Sequence, residues 1–321
     1  EVYPQYFPKQ NTELEAYQQI EKDLLDAVLY APDNTPGNKT LFSKSVARTL
    51  LAKIYAEKPL RDYTKVIQYC DEVKEDGFDL VDDFSDLFGM NAAGTDAKMR
   101  NTKESILEAQ FTSGAGNWCT WMFGRDLVNW NNNFTWAKWV TPSRDLISAF
   151  KQEGDEVRFK ESIVYYDCNW SNYYPSDNYP FMYKCRSANS SIIKYRYADV
   201  LLLKAEALIM QDTPDLEGAA DIIDEVRDRA KLGALPTSVR SNKNVLLNAL
   251  LKERRLELAF EGQRWFDLVR LDKVEEVMNA VYAKDSGRKA QIYTFDKNSY
   301  RLPIPQSVID ANDKIHQNPG Y

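Results

Sequence analysis

The 321-residue chain has one histidine, four cysteines, no excess of positive charge and no apolar run near the ~18 residues that a membrane-spanning helix requires. One histidine leaves little room for His-based catalysis or a multi-His metal site. No two of Cys70, Cys119, Cys168 and Cys185 lie within five positions, so a CxxC redox or zinc motif is absent. Four cysteines permit three pairings, and buried free thiols are the simpler expectation in a chain with this much core. The 41 Lys+Arg against 48 Asp+Glu leave a net charge of −7, which argues against sequence-independent nucleic-acid binding. There is no GxSxG nucleophile motif. Ser113-Gly-Ala-Gly-Asn-Trp118 has neither the third glycine nor the preceding strand of a phosphate-cradling loop. The first residues, Glu1 to Pro8, have no basic or apolar leader region and no initiating Met. This predicts a removed leader or a fragment.

What remains is ordinary in bulk and uneven in place. Hydrophobic residues make up 44% and charged residues 28%, a composition that supports a folded soluble chain with a large core. Five of the seven Trp, at 118, 121, 130, 136 and 139, fall within 22 residues. A second aromatic group follows: Tyr165, Tyr166, Trp170, Tyr173, Tyr174, Tyr179 and Tyr183. Asn117, Asn129, Asn131, Asn132, Asn133, Asn169, Asn172, Asp177 and Asn178 are interleaved with them. Flat aromatic faces beside amide hydrogen-bonders suit a sugar, whose C–H face stacks while its hydroxyls bond. The expected ligand contacts are Trp118, Trp121, Trp130, Trp136, Trp139, Asn131 and Asn133. Most of the other aromatics are expected to serve as a local core.

On either side, apolar residues recur at helical spacing. Leu14, Tyr17, Ile20, Leu24, Leu25 and Val28 predict a helix over 11–30, capped by Thr12 or Asn11. Val46, Leu50, Leu51 and Ile54 predict a helix over 43–57, with Ala47 and Ala52 allowing close approach. A third helix opens at Asp62 and closes at Gly77. Further helices are predicted over 197–211, 216–230, 242–261 and 263–271, followed by an extended, Pro-punctuated tail. Between 85 and 190 the period mostly vanishes, apart from one short helix near 143–151. The expected fold is mainly α: tetratricopeptide-like helix-turn-helix pairs with a large irregular, aromatic-rich insertion. The expected division is a helical block over 11–84, the insertion over 85–190 and a C-terminal block over 191–321, within one domain.

Two carboxylate groups invite chemistry. Glu253, Glu257 and Glu261 share one helix face, and paired carboxylates are the acid and base of a glycosidase. The interleaved Arg254, Arg255 and Arg264 make ion pairing the better reading. Asp76, Asp79, Asp82, Asp83 and Asp86 offer hard oxygen ligands for a structural calcium ion, but the spacing lacks the EF-hand glycine and terminal Glu, so a solvated acidic turn is expected. His316 is expected to pack rather than react.

Three segments carry a resemblance: Tyr195-Arg-Tyr-Ala-Asp-Val-Leu-Leu-Leu-Lys-Ala-Glu-Ala207, Lys252-Glu-Arg-Arg-Leu-Glu-Leu-Ala-Phe-Glu-Gly-Gln-Arg-Trp-Phe-Asp-Leu-Val-Arg270, and Leu302-Pro-Ile-Pro305 with Gln317-Asn-Pro-Gly-Tyr321. Together they resemble the SusD/RagB family of outer-membrane nutrient-uptake lipoproteins, with weaker likeness over 17–88 and 142–158. The resemblance implies a non-catalytic protein with no cofactor. It captures a glycan at the cell surface and delivers it to a SusC-like TonB-dependent transporter. It also implies a lipid anchor at an N-terminus that this chain lacks, along with the family's first helical pair. The alternative is a helical-repeat scaffold that binds peptide or another non-sugar nutrient beside the transporter.

Overall fold

A computed structural model describes residues 7–112, 116–117, 141–167, 178–284 and 295–321. The first helix, α1 (Glu13–Tyr30), starts where the sequence places a cap. Thr12 Oγ1 accepts from Glu15 N at 3.2 Å, and Glu15 Oε2 accepts from Thr12 N at 2.8 Å. This reciprocal pair satisfies two amides that the first turn leaves without partners. Replacing Thr12 with Ala is expected to weaken α1 by about 1 kcal/mol. Faster hydrogen exchange at the first-turn amides, with the rest of the chain unchanged, is the readout.

The second helix, α2 (Lys44–Ala56), buries Val46, Ala47, Leu51, Ala52 and Ala56 completely, and its alanines let α1 and α3 (Tyr63–Glu75) approach. Asp62 caps α3 through Lys65 N at 3.1 Å, and Gly77 follows with φ +89°. A short α4 (Ser85–Phe88) comes next. The centre of the core is α7 (Tyr197–Met210), apolar around almost its whole circumference and packed against α2, α3, α8 (Leu216–Arg229) and α10 (Lys243–Glu257). A helix with that distribution is stable only when surrounded. Leu24, Leu51, Val66, Leu202, Ile223 and Leu250 all belong to this one apolar cluster.

The middle of the chain has more regular structure than its periodicity suggests. The expected short helix is α5 (Arg144–Glu153). It is followed by α6 (Glu156–Ser162), capped by Asp155 at Arg158 N. Strand β1 (Ser105–Ala109) pairs antiparallel with β4 (Ile192–Arg196), which runs directly into α7. Strands β2 (Ile163–Tyr166) and β3 (Tyr179–Met182) form a second antiparallel pair. Strands of four or five residues are too short to reveal a period, and pairing with distant chain stabilises them. Phe150, Ile163, Tyr179 and Phe181 form a smaller apolar cluster with Leu256 and Ala259 from the end of α10.

The helix predicted over 242–261 stops at Glu257. The Glu257 carbonyl accepts from Lys184 Nζ and Arg196 Nη2, both at 2.8 Å, while Glu261 N turns back to Leu258 O. Phe260 takes φ +66° and Gly262 φ +81° before α11 (Arg264–Arg270) begins. Side-chain donors therefore satisfy a carbonyl that a longer helix would have bonded internally. Short helices α9 (Thr237–Arg240), before α10, and α12 (Val274–Lys284), after α11, flank this region, and the tail departs from a purely extended path at α13 (Gln306–Ala311). Leu302–Pro305 and Gln317–Tyr321 are stitched together. Ile304 N donates to Gln317 Oε1 at 2.8 Å, Gln317 Nε2 donates to Ile304 O at 2.9 Å, and Asn318 Nδ2 donates to Leu302 O at 2.7 Å. The tail in turn holds the start of the chain: Asn312 Nδ2 donates to Pro8 O, and His316 donates its backbone N–H to Gln10 Oε1. No helix among the described residues is long and apolar enough to cross a membrane.

Candidate functional site

The glutamate stripe is buried rather than exposed, and its partners come from distant elements rather than from the interleaved arginines. Glu257 meets Arg196 Nη1 at 2.5 Å, Arg158 Nη1 at 3.0 Å, and Arg229. Arg158 also binds Glu253 at 2.5 Å and Asp155. Arg196 also binds Glu104 and Glu261, each at 2.7 Å. Lys184 Nζ donates to Glu261 at 2.6 Å and faces the Phe84 and Phe88 rings. Burial alone would raise the Glu257 carboxyl, but Arg229, Arg196 and Arg158 outweigh it and hold it well below its ordinary value. Burial raises Glu253 despite Arg158, yet that carboxyl is buried in the core. A general acid needs reach to a substrate proton. This network instead ties α6, α8, α10, β1 and β4 together. Arg254 is engaged by Asp199 at 2.7 Å and Asp267 at 2.8 Å, and Arg255 by Asp145 at 2.7 Å.

The acidic stretch is neutralised by basic side chains. Lys103 bridges Asp79 and Asp82 at 3.2 Å each, Lys98 binds Asp83 at 2.9 Å and Asp86 at 2.7 Å, and Arg48 binds Asp76 at 2.9 Å. No group of His, Cys, Asp or Glu suited to a metal occurs among the described residues. Cys70 is a free buried thiol, raised by burial.

The expected ligand contacts Trp118, Trp121, Trp130, Trp136, Trp139, Asn131 and Asn133 lie outside the described residues. The described chain does show where that segment is bounded. Asn117 is pinned through its backbone N–H to Ala188 O at 2.6 Å, and through Nδ2 to Ser190 O at 3.2 Å. Gly116 approaches Ala188 so closely that a Cβ would fall 3.1 Å from the alanine methyl. On the far side, Thr141 Oγ1 and Tyr179 OH share a 3.0 Å hydrogen bond. Tyr179 pairs with Tyr166, the outermost register of the β2–β3 pair, whose connection holds residues 168–177. One hydrogen bond thus joins the boundaries of both aromatic, amide-rich segments. Of the second group, Tyr179 is buried, and Tyr165, Tyr166 and Tyr183 pack on the smaller apolar cluster, as a local core requires.

The described residues line several cavities. One of about 380 Å³ lies at the α5–α6 turn between Phe150, Phe159, Lys151 and Lys160. One of about 160 Å³ adjoins Lys184, Phe88 and Phe260. The third, of about 300 Å³, lies between the start of α5, the end of α10 and the start of α11, against Ser143, Arg255, Arg264 and Trp265. The Lys252–Arg270 motif pointed to a structural role and gave no sign of this last cavity. Its one sequence clue was an arginine next to a tryptophan.

Residues 178–321 match the model of the SusD family, and this stretch contains all three motif segments. Over 99 residues the chain is 43% identical to SusD-like protein P38 of Formosa agariphila, an alignment that covers 29% of this chain and 19% of that relative. Its C-terminal part, residues 178–321, is SusD-like. Its fold is similar to the crystal structure of a SusD homologue from Bacteroides thetaiotaomicron, at TM-score 0.76 and 23% identity over 97% of this chain and 71% of that one. It is also similar to a laminarin-binding SusD-like protein, at TM-score 0.68 and 25% identity over 96% of this chain and 69% of the other. The mainly helical, tetratricopeptide-like fold agrees with both. Within residues 178–321, the Glu-Arg-Arg to Val-Arg motif supplies one side of the buried ion network, and the terminal Gln-Asn-Pro-Gly-Tyr locks the tail.

Proposed function

We propose that this chain binds oligosaccharide or polysaccharide without catalysis, at the outer-membrane surface, and passes it to a SusC-like TonB-dependent transporter. The observation that carries the reading is the Thr141–Tyr179 hydrogen bond, which brings the boundaries of the two aromatic and amide-rich segments together. The laminarin-binding relative supports a glycan as the ligand class. The burial and full pairing of Glu253, Glu257 and Glu261 support binding over hydrolysis. The contacts are Trp118, Trp121, Trp130, Trp136, Trp139, Asn131 and Asn133, with several weak stacks acting in concert along a polymer.

Calorimetric titration with laminarin and a panel of other polysaccharides tests the reading. Each Trp→Ala change at a contacting position is expected to weaken binding about fivefold, the equivalent of ~1 kcal/mol per stacked ring. The absence of binding to every polysaccharide sinks the reading. Unchanged affinity across all five Trp variants sinks the site assignment alone.

A further inference from the structure

We propose that the cavity between α5, α10 and α11 is a subsite for one acidic group, a carboxylate or a sulfate ester, on the bound glycan. The inference rests on the glycan-binding reading and adds a charge class to it. The cavity, about 300 Å³, reaches the size at which small groups are enclosed. Three guanidiniums line it. Arg254 is fully engaged by Asp199 and Asp267, and Arg255 by Asp145. Arg264 differs: Nη1 donates to Leu251 O at 2.8 Å, and no carboxylate among the described residues lies within 4.0 Å of its guanidinium. A guanidinium has five N–H donors in a planar fork that matches an oxyanion. Burial and the neighbouring Arg255 lower Arg264 to about 10, so it stays charged at neutral pH but is poorly compensated. A bound oxyanion supplies the missing partner and turns a repulsion into a charge-assisted pair.

The remaining wall suits a sugar ring. Trp265 is half-buried and lines the cavity beside Arg264, giving the ring an apolar face. Ser143, also on the wall, lies two residues past Thr141, where the Trp- and Asn-rich segment rejoins the described fold. The larger cavity at the α5–α6 turn offers only Lys151 and Lys160, both exposed and free to be solvated.

The test is calorimetry on three oligosaccharides of equal length: a neutral glucan, its uronate counterpart and its sulfated counterpart. At least one acidic oligosaccharide is expected to bind tenfold or more tightly than the neutral one. That advantage should shrink as salt is raised. The uronate and sulfate arms identify which acidic group the subsite takes. Arg264→Gln is expected to remove the advantage while leaving neutral binding intact, and Arg264→Lys to retain part of it. Equal affinity of the wild-type chain for all three oligosaccharides overturns the subsite and leaves the glycan reading standing. It does so even if the Gln variant fails to fold. If no oligosaccharide binds, the glycan reading fails by itself, and titration with glucuronate and inorganic sulfate alone then decides the pocket. Uptake that is lost in Arg264→Gln and partly kept in Arg264→Lys supports an anion site, and no uptake by the wild type overturns it.

Discussion

Glu257→Ala is expected to cost about 3–5 kcal/mol of stability, because it leaves Arg158, Arg196 and Arg229 buried with less than their complement of negative charge. For a chain of this size, that lowers the thermal midpoint by roughly 4–7 °C. The cost arises from the stranded cations rather than from the lost Coulomb attraction, since a buried ion pair as a whole roughly breaks even against apolar packing. Lys103→Ala provides the contrast. Its pairs with Asp79 and Asp82 are exposed to solvent, so removing it should cost less than about 1 kcal/mol. Urea denaturation of both variants makes the comparison. A Glu257→Ala loss no larger than that of Lys103→Ala would show that the buried cations are not held in place by Glu257.

Below about pH 4 the fold is expected to collapse, and steeply. Burial opposes ionisation of Asp199, Glu257, Glu261 and Asp267, but Lys53, Lys184 and the surrounding arginines outweigh it, so all four carboxyls are lowered in the fold. In the unfolded chain they titrate near 4. A carboxyl with a depressed folded value contributes stability that is complete above its unfolded value and is lost as pH falls through its folded value. Burial instead raises Glu57, Asp155 and Glu253, and these act in the opposite sense. Just above pH 4 the folded state takes up their protons more readily, which offsets the first losses. The outcome is a flat region down to about pH 4 and a sharp fall beneath it. Because the pairs are buried, added salt should shift this transition little. Circular dichroism against pH is the measurement, and an intact helical signal and cooperative melt at pH 2 would refute the account.

Local chemistry made the helical pairs legible. Thr12 with Glu15, Asp62 before Tyr63 and the Ala-spaced apolar face of α2 are all short-range signals, and each appears in the fold where the spacing put it. The end of α10 was not legible, because its stop comes from Lys184 and Arg196 reaching a carbonyl 73 and 61 residues away. The strand pairs were hidden for a similar reason: β1 finds its partner β4 more than eighty residues later. For the ligand site, composition picked out Trp118 to Trp139, which lie outside the described residues, while the Thr141–Tyr179 contact at its border came only with the fold.

By itself, the sequence determined that the chain is mainly helical, that one histidine leaves little for His-dependent chemistry, and that three C-terminal segments carry a family pattern. Periodicity and motif order are properties of the chain, readable without neighbours. The tertiary structure decided the role of each charge. It turned Glu253, Glu257 and Glu261 from a candidate catalytic stripe into a buried tie. Among the described residues, it also left Arg264 without a carboxylate, unlike Arg254 and Arg255. Spacing along a helix fixes which side chains share a face, but whether a charge is paired, buried or facing a cavity depends on what the rest of the chain packs against it.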